Sequence, residues 1–267
     1  MISQIISWPQ TLTRICFDKP WIENINNIDL RMIQSWLQIH KATLKYIKID
    51  ELSWSRGMMW PGGGYGLGFN ASNFPNLEHL HLSRWLWDSP LDLGMAKEDA
   101  DSILGAPRLR VFVWDFTTSG EAYRERWTEF GAREEEWLRC FAQVAMSARQ
   151  EGNCFLEEIR LRFTPEEVMG MDEDDEEVVV VEEGEEVYPW DRMDMVREEV
   201  IEQSSGLLAL TYNEPVFSRE EWKRDLELQR EWRMRLEREG RPRRFPRDYR
   251  TLRQAIGFPV PCQQEGN

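Results

Sequence analysis

The sequence predicts an α/β fold, a curved solenoid of strand–helix repeats closed by a helical cap. Three observations lead there. A short pattern, consisting of a leucine, an apolar residue three positions on and another two further, recurs along the chain. The leading leucines stand at nearly regular intervals. Stretches with helical spacing of apolar residues lie between the copies.

The clearest copies are PQTLTRICFD, with Leu12, Ile15 and Phe17; KATLKYIKID, with Leu44, Ile47 and Ile49; and FPNLEHLHLS, with Leu77, Leu80 and Leu82. APRLRVFVWD (Leu109, Phe112, Trp114) and NCFLEEIRLR (Leu156, Ile159, Leu161) follow it less closely, and GLLALTYN (Leu207, Leu210, Tyr212) is a marginal sixth. Successive leading leucines are 32, 33, 32, 47 and 51 residues apart, and the first three intervals are more even than chance alternation gives. Between the strands, Asn27 to His40 places Leu30, Ile33, Trp36 and Leu37 on one helical face. Arg133 to Arg149 does the same with Trp137, Leu138, Phe141, Val144 and Ala148, and Lys97 to Leu104 is a shorter candidate. A single such unit leaves an apolar face bare, so stacking unit on unit is what builds a core. The expected fold is therefore leucine-rich-repeat-like, with irregular spacing of 32 to 51 residues.

The segments WLQIHKATLKYIKID, FNASNFPNLEHLHLSRW, LGAPRLRVFVWDF and FLEEIRLRFTPEE resemble the leucine-rich region of fungal F-box-type proteins, over roughly residues 8 to 165. In that family an F-box recruits the adaptor of a cullin-RING ubiquitin ligase and the repeats hold the substrate. The resemblance implies a substrate-receptor module. Too few residues precede Leu12 for an F-box, so none is expected in this chain, and two readings stay open for the edge strand Leu12 to Phe17: an incomplete gene product, or a cap made by residues 1–10.

The stretch WPGGGYGLGFNA, Trp60 to Ala71, contains G-L-G-F-N-A and fits the glycine spacing of dinucleotide-binding loops. Such a loop cradles phosphate only where it opens a helix, because helix-terminal N–H groups are the donors. Pro75 and the strand-like run Leu77 to Leu82 follow at once, so the Gly62–Gly68 loop reads as an insertion on one rim, with Trp60 and Tyr65 available to a partner.

The second half differs in kind. Residues 1–165 form the expected solenoid. Residues 166–187 are an acidic insertion, with twelve carboxylates and no basic residue from Glu166 to Glu186, whose self-repulsion predicts disorder. Within it, the four-valine run can instead pair as a strand or dock on a basic partner. Residues 188–240 carry the last repeat and a capping helix. Asp191 to Ser204 is helical with Met195, Val196, Val200 and Ile201 apolar. Ser218 with Glu221 forms a capping box, Phe217 is placed to staple on Trp222, and the helix runs to Glu239. Residues 241–267 are a basic and then flexible tail.

With the leading leucines turned inward, alternation sends the second, fourth and sixth residues after each one to the concave face. The expected partner-binding set is Arg14, Asp18, Tyr46, Lys48, Asp50, His79, His81, Ser83, Asp115, Arg160 and Arg162, an amphoteric surface suited to a protein or peptide. His79 and His81 have the spacing at which two imidazoles can share a metal, with Asp50 or Asp115 as third ligand. No companion motif supports this, so ordinary surface histidines and no metal or other cofactor are expected. Ser83 beside His81 makes no triad. No catalytic residue is predicted, and the chain is read as a non-enzymatic protein-binding module. Two other readings stay open: a nucleotide-dependent enzyme using Gly62–Gly68, and a nucleic-acid binder using the tail Arg241 to Arg253.

Composition agrees. A formal charge of −15 opposes general affinity for nucleic acid or anionic membranes, and 13 tryptophans require large apolar groups to be buried. Cys16, Cys140, Cys154 and Cys262 lack C-x-x-C spacing and read as reduced, mostly buried thiols. No window approaches a membrane span and no basic leader opens the chain, so a cytoplasmic or nuclear protein is expected.

Overall fold

The computed structural model describes residues 6, 9–17, 30–50, 67–87, 91–117, 130–164 and 187–224, with positions 227, 234 and 238 beyond them. Residues 166–186 of the expected acidic insertion 166–187, the tail 241–267, Asp18, Trp60, Tyr65 and the glycines from Gly62 to Gly66 lie outside these residues.

Alternating apolar residues produce six short strands: β1 (Arg14–Phe17), β2 (Tyr46–Ile49), β3 (His79–Ser83), β4 (Val111–Asp115), β5 (Glu158–Arg162) and β6 (Ala209–Tyr212). They form one open parallel sheet in sequence order, β1 to β6. Among the described residues four helices lie between strands: α1 (Leu30–Leu37), α2 (Ala96–Leu104), α3 (Ala132–Gln150) and α4 (Pro189–Ser204). Parallel neighbours require such crossovers, because a tight turn can join only antiparallel strands. The register aligns Arg14, Tyr46, His79, Val111, Glu158 and Ala209 in one row across the whole sheet. These are the second residues after each leading leucine.

Period two then separates the faces. Ile47, Leu80, Phe112 and Ile159 make one fully buried row, and Ile49, Leu82, Trp114 and Leu161 the next. Helix α3 covers the middle of this face. Its Trp137 ring lies 4.3 Å from that of Trp114, and its Phe141 ring 4.8 Å from that of Phe112. Farther along, Trp190 of α4 meets Phe163 edge-on at 5.1 Å. Each such side chain stabilises the fold by about 1.5–3 kcal/mol through burial. The helices are anchored laterally by ions. Glu135 of α3 accepts from Arg192 of α4, and Arg139 reaches both Glu135 and Glu199. Proline at the first turn opens α4; Ser205 and Gly206, at φ of 52° and 76°, end it with two left-handed residues.

Several expectations need correction. Helix α1 is described from Leu30, its expected start at Asn27 lying outside the described residues, and its last turn tightens into a 3-10 turn over Gln38–His40. In α4 the buried apolar residues include Trp190, Met193, Val196 and Val200, while Met195 and Ile201 face outward, because the helix packs across α3 and β6 together. The marginal sixth copy also shifts. Leu207 is 61% exposed and Leu208 is buried, since the turn after Gly206 points the earlier residue away from the core. Of three described cysteines only Cys154 is buried; Cys140 is half-buried and Cys16 exposed on the edge strand. Beyond β6, Trp222 is buried against Tyr188, and Ser218 with Glu221 makes the reciprocal cap at residues 219–224.

Candidate functional site

The opposite face of the sheet holds most of the residues expected to meet a partner. Strand β3 supplies the clearest alternation, with Leu80 and Leu82 in the core and His79, His81 and Ser83 on the other side. His81 stands between Lys48 of β2 and Val113 of β4, and Ser83 stands beside Asp115, which in turn pairs with Arg162 of β5. Asp50 is one residue beyond Ile49, the partner of Leu82, and its N–H donates to the Phe17 carbonyl at 2.9 Å. That bond holds Asp50 in line with the strands, so that its carboxylate arrives near Asp115 and His81.

The geometry of this cluster is specific. His81 Nε2 lies 2.7 Å from Asp115 Oδ2, with both side chains buried. Asp115 Oδ1 accepts from the Thr117 N–H at 2.8 Å, and Arg162 Nη1 approaches Oδ2 at 3.2 Å. Lys48 Nζ donates to Asp50 Oδ2 at 2.9 Å. Burial pushes the Asp50 carboxyl above its ordinary value, against the pull of the Lys48 ammonium, and the negative charge of Asp115 adds to the rise. Burial acts on Asp115 in the same sense, but hydrogen bonds from His81 and Thr117, with the Arg162 charge, outweigh it and hold that carboxyl below its ordinary value. Asp50, His81 and Asp115 bring one donor atom each within 4.8 Å of one another.

A cleft of about 500 Å³ opens over β2 to β6 beside the cluster. Tyr46, His79, Arg160, Arg162, Thr211 and Asn213 contribute to its wall, with Val111, Val113 and His81 along the strands. At its β1 side the Arg14 guanidinium lies 4.0 Å over the Tyr46 ring, whose centroid is 6.1 Å from that of His79. Arg160 is held in a fork against Glu158 at 3.0 and 2.8 Å.

Of the residues expected on an open face, Arg14, Arg160 and Arg162 are exposed, and Tyr46, Lys48, Asp50 and His79 are half-buried. His81, Ser83 and Asp115 are corrections, because all three are buried. In mid-sheet each is shielded by neighbouring strands on both sides, and the Arg162 arm reaches back to Asp115. The two histidines do not converge either. His79 turns towards Tyr46, while His81 is bonded to Asp115 and has Asp50 within 4.8 Å, the two aspartates that spacing offered as alternatives. His40 is a core histidine, with Nε2 2.7 Å from the Ile6 carbonyl. Thr211, Tyr212 and Asn213 were missed as cleft residues. Continuing the second, fourth and sixth positions to the marginal copy would have reached Thr211 and Asn213.

The glycine motif ends differently from a nucleotide loop. After Gly68 at φ 68°, Asn70 caps a three-residue 3-10 turn, Ala71–Asn73, by accepting from the Ser72 N–H at 2.9 Å, and β3 follows. Leu67 and Phe69 are buried, and Phe69 stacks on Phe74 at 5.8 Å. No helix of the described residues is long and apolar enough to cross a membrane. The chain matches no protein-family model, no curated protein and no solved structure.

Proposed function

We propose that this chain is a non-catalytic protein-recognition module: a leucine-rich-repeat-like curved solenoid whose strand face and cleft take one protein partner. In this reading it corresponds to the substrate-receptor part, or a truncated relative, of F-box-type ubiquitin-ligase subunits, as the sequence resemblance implies. The observation that carries the proposal is the sheet itself. Six parallel strands in unbroken sequence order place equivalent residues side by side, with one face packed on helices and the other bearing Arg14, Tyr46, His79, Arg160 and Arg162 around a cleft. Arginine and tyrosine are enriched among the residues that carry binding energy at interfaces, and a mix of cations, hydroxyls and imidazoles suits a polypeptide.

The test is comparative affinity purification of tagged wild-type protein, a Tyr46→Ala/Arg160→Ala variant and a Lys97→Ala control at an exposed position of α2. A partner held by the wild type and the control, and lost at least about tenfold by the face variant, supports the reading; a tenfold loss is about 1.4 kcal/mol. Equal retention by all three removes the strand face as the binding surface. A cullin and its adaptor among the partners would tie the module to a ligase, and one defined partner without them would make it a free-standing receptor.

A further inference from the structure

We propose that Asp50, His81 and Asp115 together bind one divalent first-row transition ion at the edge of the cleft. This inference is independent of the recognition role and rests on convergence. Three consecutive strands each deliver one ligating side chain to the same point: Asp50 from the end of β2, His81 from β3 and Asp115 from the end of β4. Ligand atoms about 2.1 Å from a single ion lie about 3–4 Å apart. The present set, within 4.8 Å, needs a movement of about an ångström, which rotation of the partly exposed Asp50 side chain supplies.

The donor chemistry selects the ion. One imidazole with two carboxylates suits Zn²⁺, Mn²⁺, Fe²⁺ or Co²⁺ better than the all-oxygen shells of Mg²⁺ and Ca²⁺. Three protein ligands leave a coordination position open on the cleft side, where His81 forms part of the lining. The Thr117 N–H on Asp115 Oδ1 is a supporting bond of the kind that orients a ligating carboxylate, leaving Oδ2 for the ion. Lys48 and Arg162 now hold the charges of the two aspartates. Arg162 reaches in from a more open position than Asp115, and Lys48 is as accessible as Asp50; these two cations are the groups an ion displaces, two single charges giving way to one double charge. Cations therefore compete with the ion here, whereas an anion-binding cleft would depend on them.

The experiment is titration of the full chain with Co²⁺, read by visible absorption, followed by displacement with Zn²⁺. The expected result is one saturable Co²⁺ per chain, reversed by Zn²⁺. Affinity should fall at least about tenfold in His81→Gln and in Asp50→Asn, and rise severalfold in Arg162→Ala, where a competitor is gone. Asp50→Asn lies at the partly exposed margin and serves if His81→Gln does not fold. The inference is overturned by absence of saturable binding. It is equally overturned by binding that survives the ligand substitutions unchanged, as ions held by the acidic run 166–186 would, or by weaker binding in Arg162→Ala.

Discussion

His81 on β3 and Asp115 on β4 are joined Nε2 to Oδ2 at 2.7 Å, with side chains only 6% and 5% exposed. A buried pair of this kind resists removal of one partner far more than its net contribution suggests, because the survivor is left desolvated. Asp115 keeps Thr117 and Arg162 when His81 is lost, whereas losing Asp115 also removes the acceptor of the Thr117 N–H. His81→Ala should cost about 2 kcal/mol and Asp115→Ala about 3–4 kcal/mol, with a coupling above about 1 kcal/mol in the double-mutant cycle. Urea unfolding of the four proteins measures this, and additive losses would show that the pair is not a unit.

Asp99 offers a pH signature. Its carboxylate accepts from the Leu67 N–H and the Trp87 indole at 2.8 Å each, and burial raises its pKa above the ordinary 3.8. A carboxyl that is more basic in the folded chain contributes most stability below its unfolded value and loses it as pH rises through the folded value. An asparagine cannot titrate and has one acceptor for two donors. Asp99→Asn should therefore destabilise at neutral pH by about 1–3 kcal/mol, and the gap to wild type should widen as pH falls towards 4. Thermal unfolding across that range decides; a gap that narrows contradicts the assignment.

Leu207 and Leu208 exchange the roles that the sequence pattern implies, one being 61% and the other 1% exposed. Leu208→Ala should cost about 2–5 kcal/mol, and Leu207→Ala less than about 0.5 kcal/mol. Equal losses in denaturant would restore Leu207 to the core.

Helices α3 and α4 are tied by Arg192 to Glu135 and by Arg139 to Glu135 and Glu199. Arg192→Ala leaves the buried Glu135 with Arg139 alone and should destabilise by about 3 kcal/mol. The exposed Lys97–Asp101 pair on α2 is the contrast, and its loss should be within about 0.5 kcal/mol. Chemical unfolding of both variants separates buried from solvent-screened charge.

The strand register was legible because leucine, isoleucine and aromatic residues repeat with period two against a steady interval, and a core face of that kind tolerates no slip. Helices α2 and α3 were legible for the same reason at period 3.6. The cluster at the site was only half legible. Spacing put Asp50, His81 and Asp115 on one face, but which of the two histidines turns towards the aspartates depends on tertiary neighbours: Tyr46 for His79, and Asp115 with Arg162 for His81. The shift from Leu207 to Leu208 was hidden as well, since it follows from the left-handed pair Ser205–Gly206, whose first member is not the glycine that usually signals such a turn.

Because every strand pairs only with its neighbours in the chain, the connections between strands are free to differ in length. The offset is 32 residues between Arg14 and Tyr46 and 51 between Glu158 and Ala209, yet both pairs hold the same row. Closing the longer connection costs only about 0.4 kcal/mol more in chain entropy. Such a scaffold can accept foreign sequence between β5 and α4 while its register stays fixed, which makes that junction a natural place for grafted epitopes or reporter peptides.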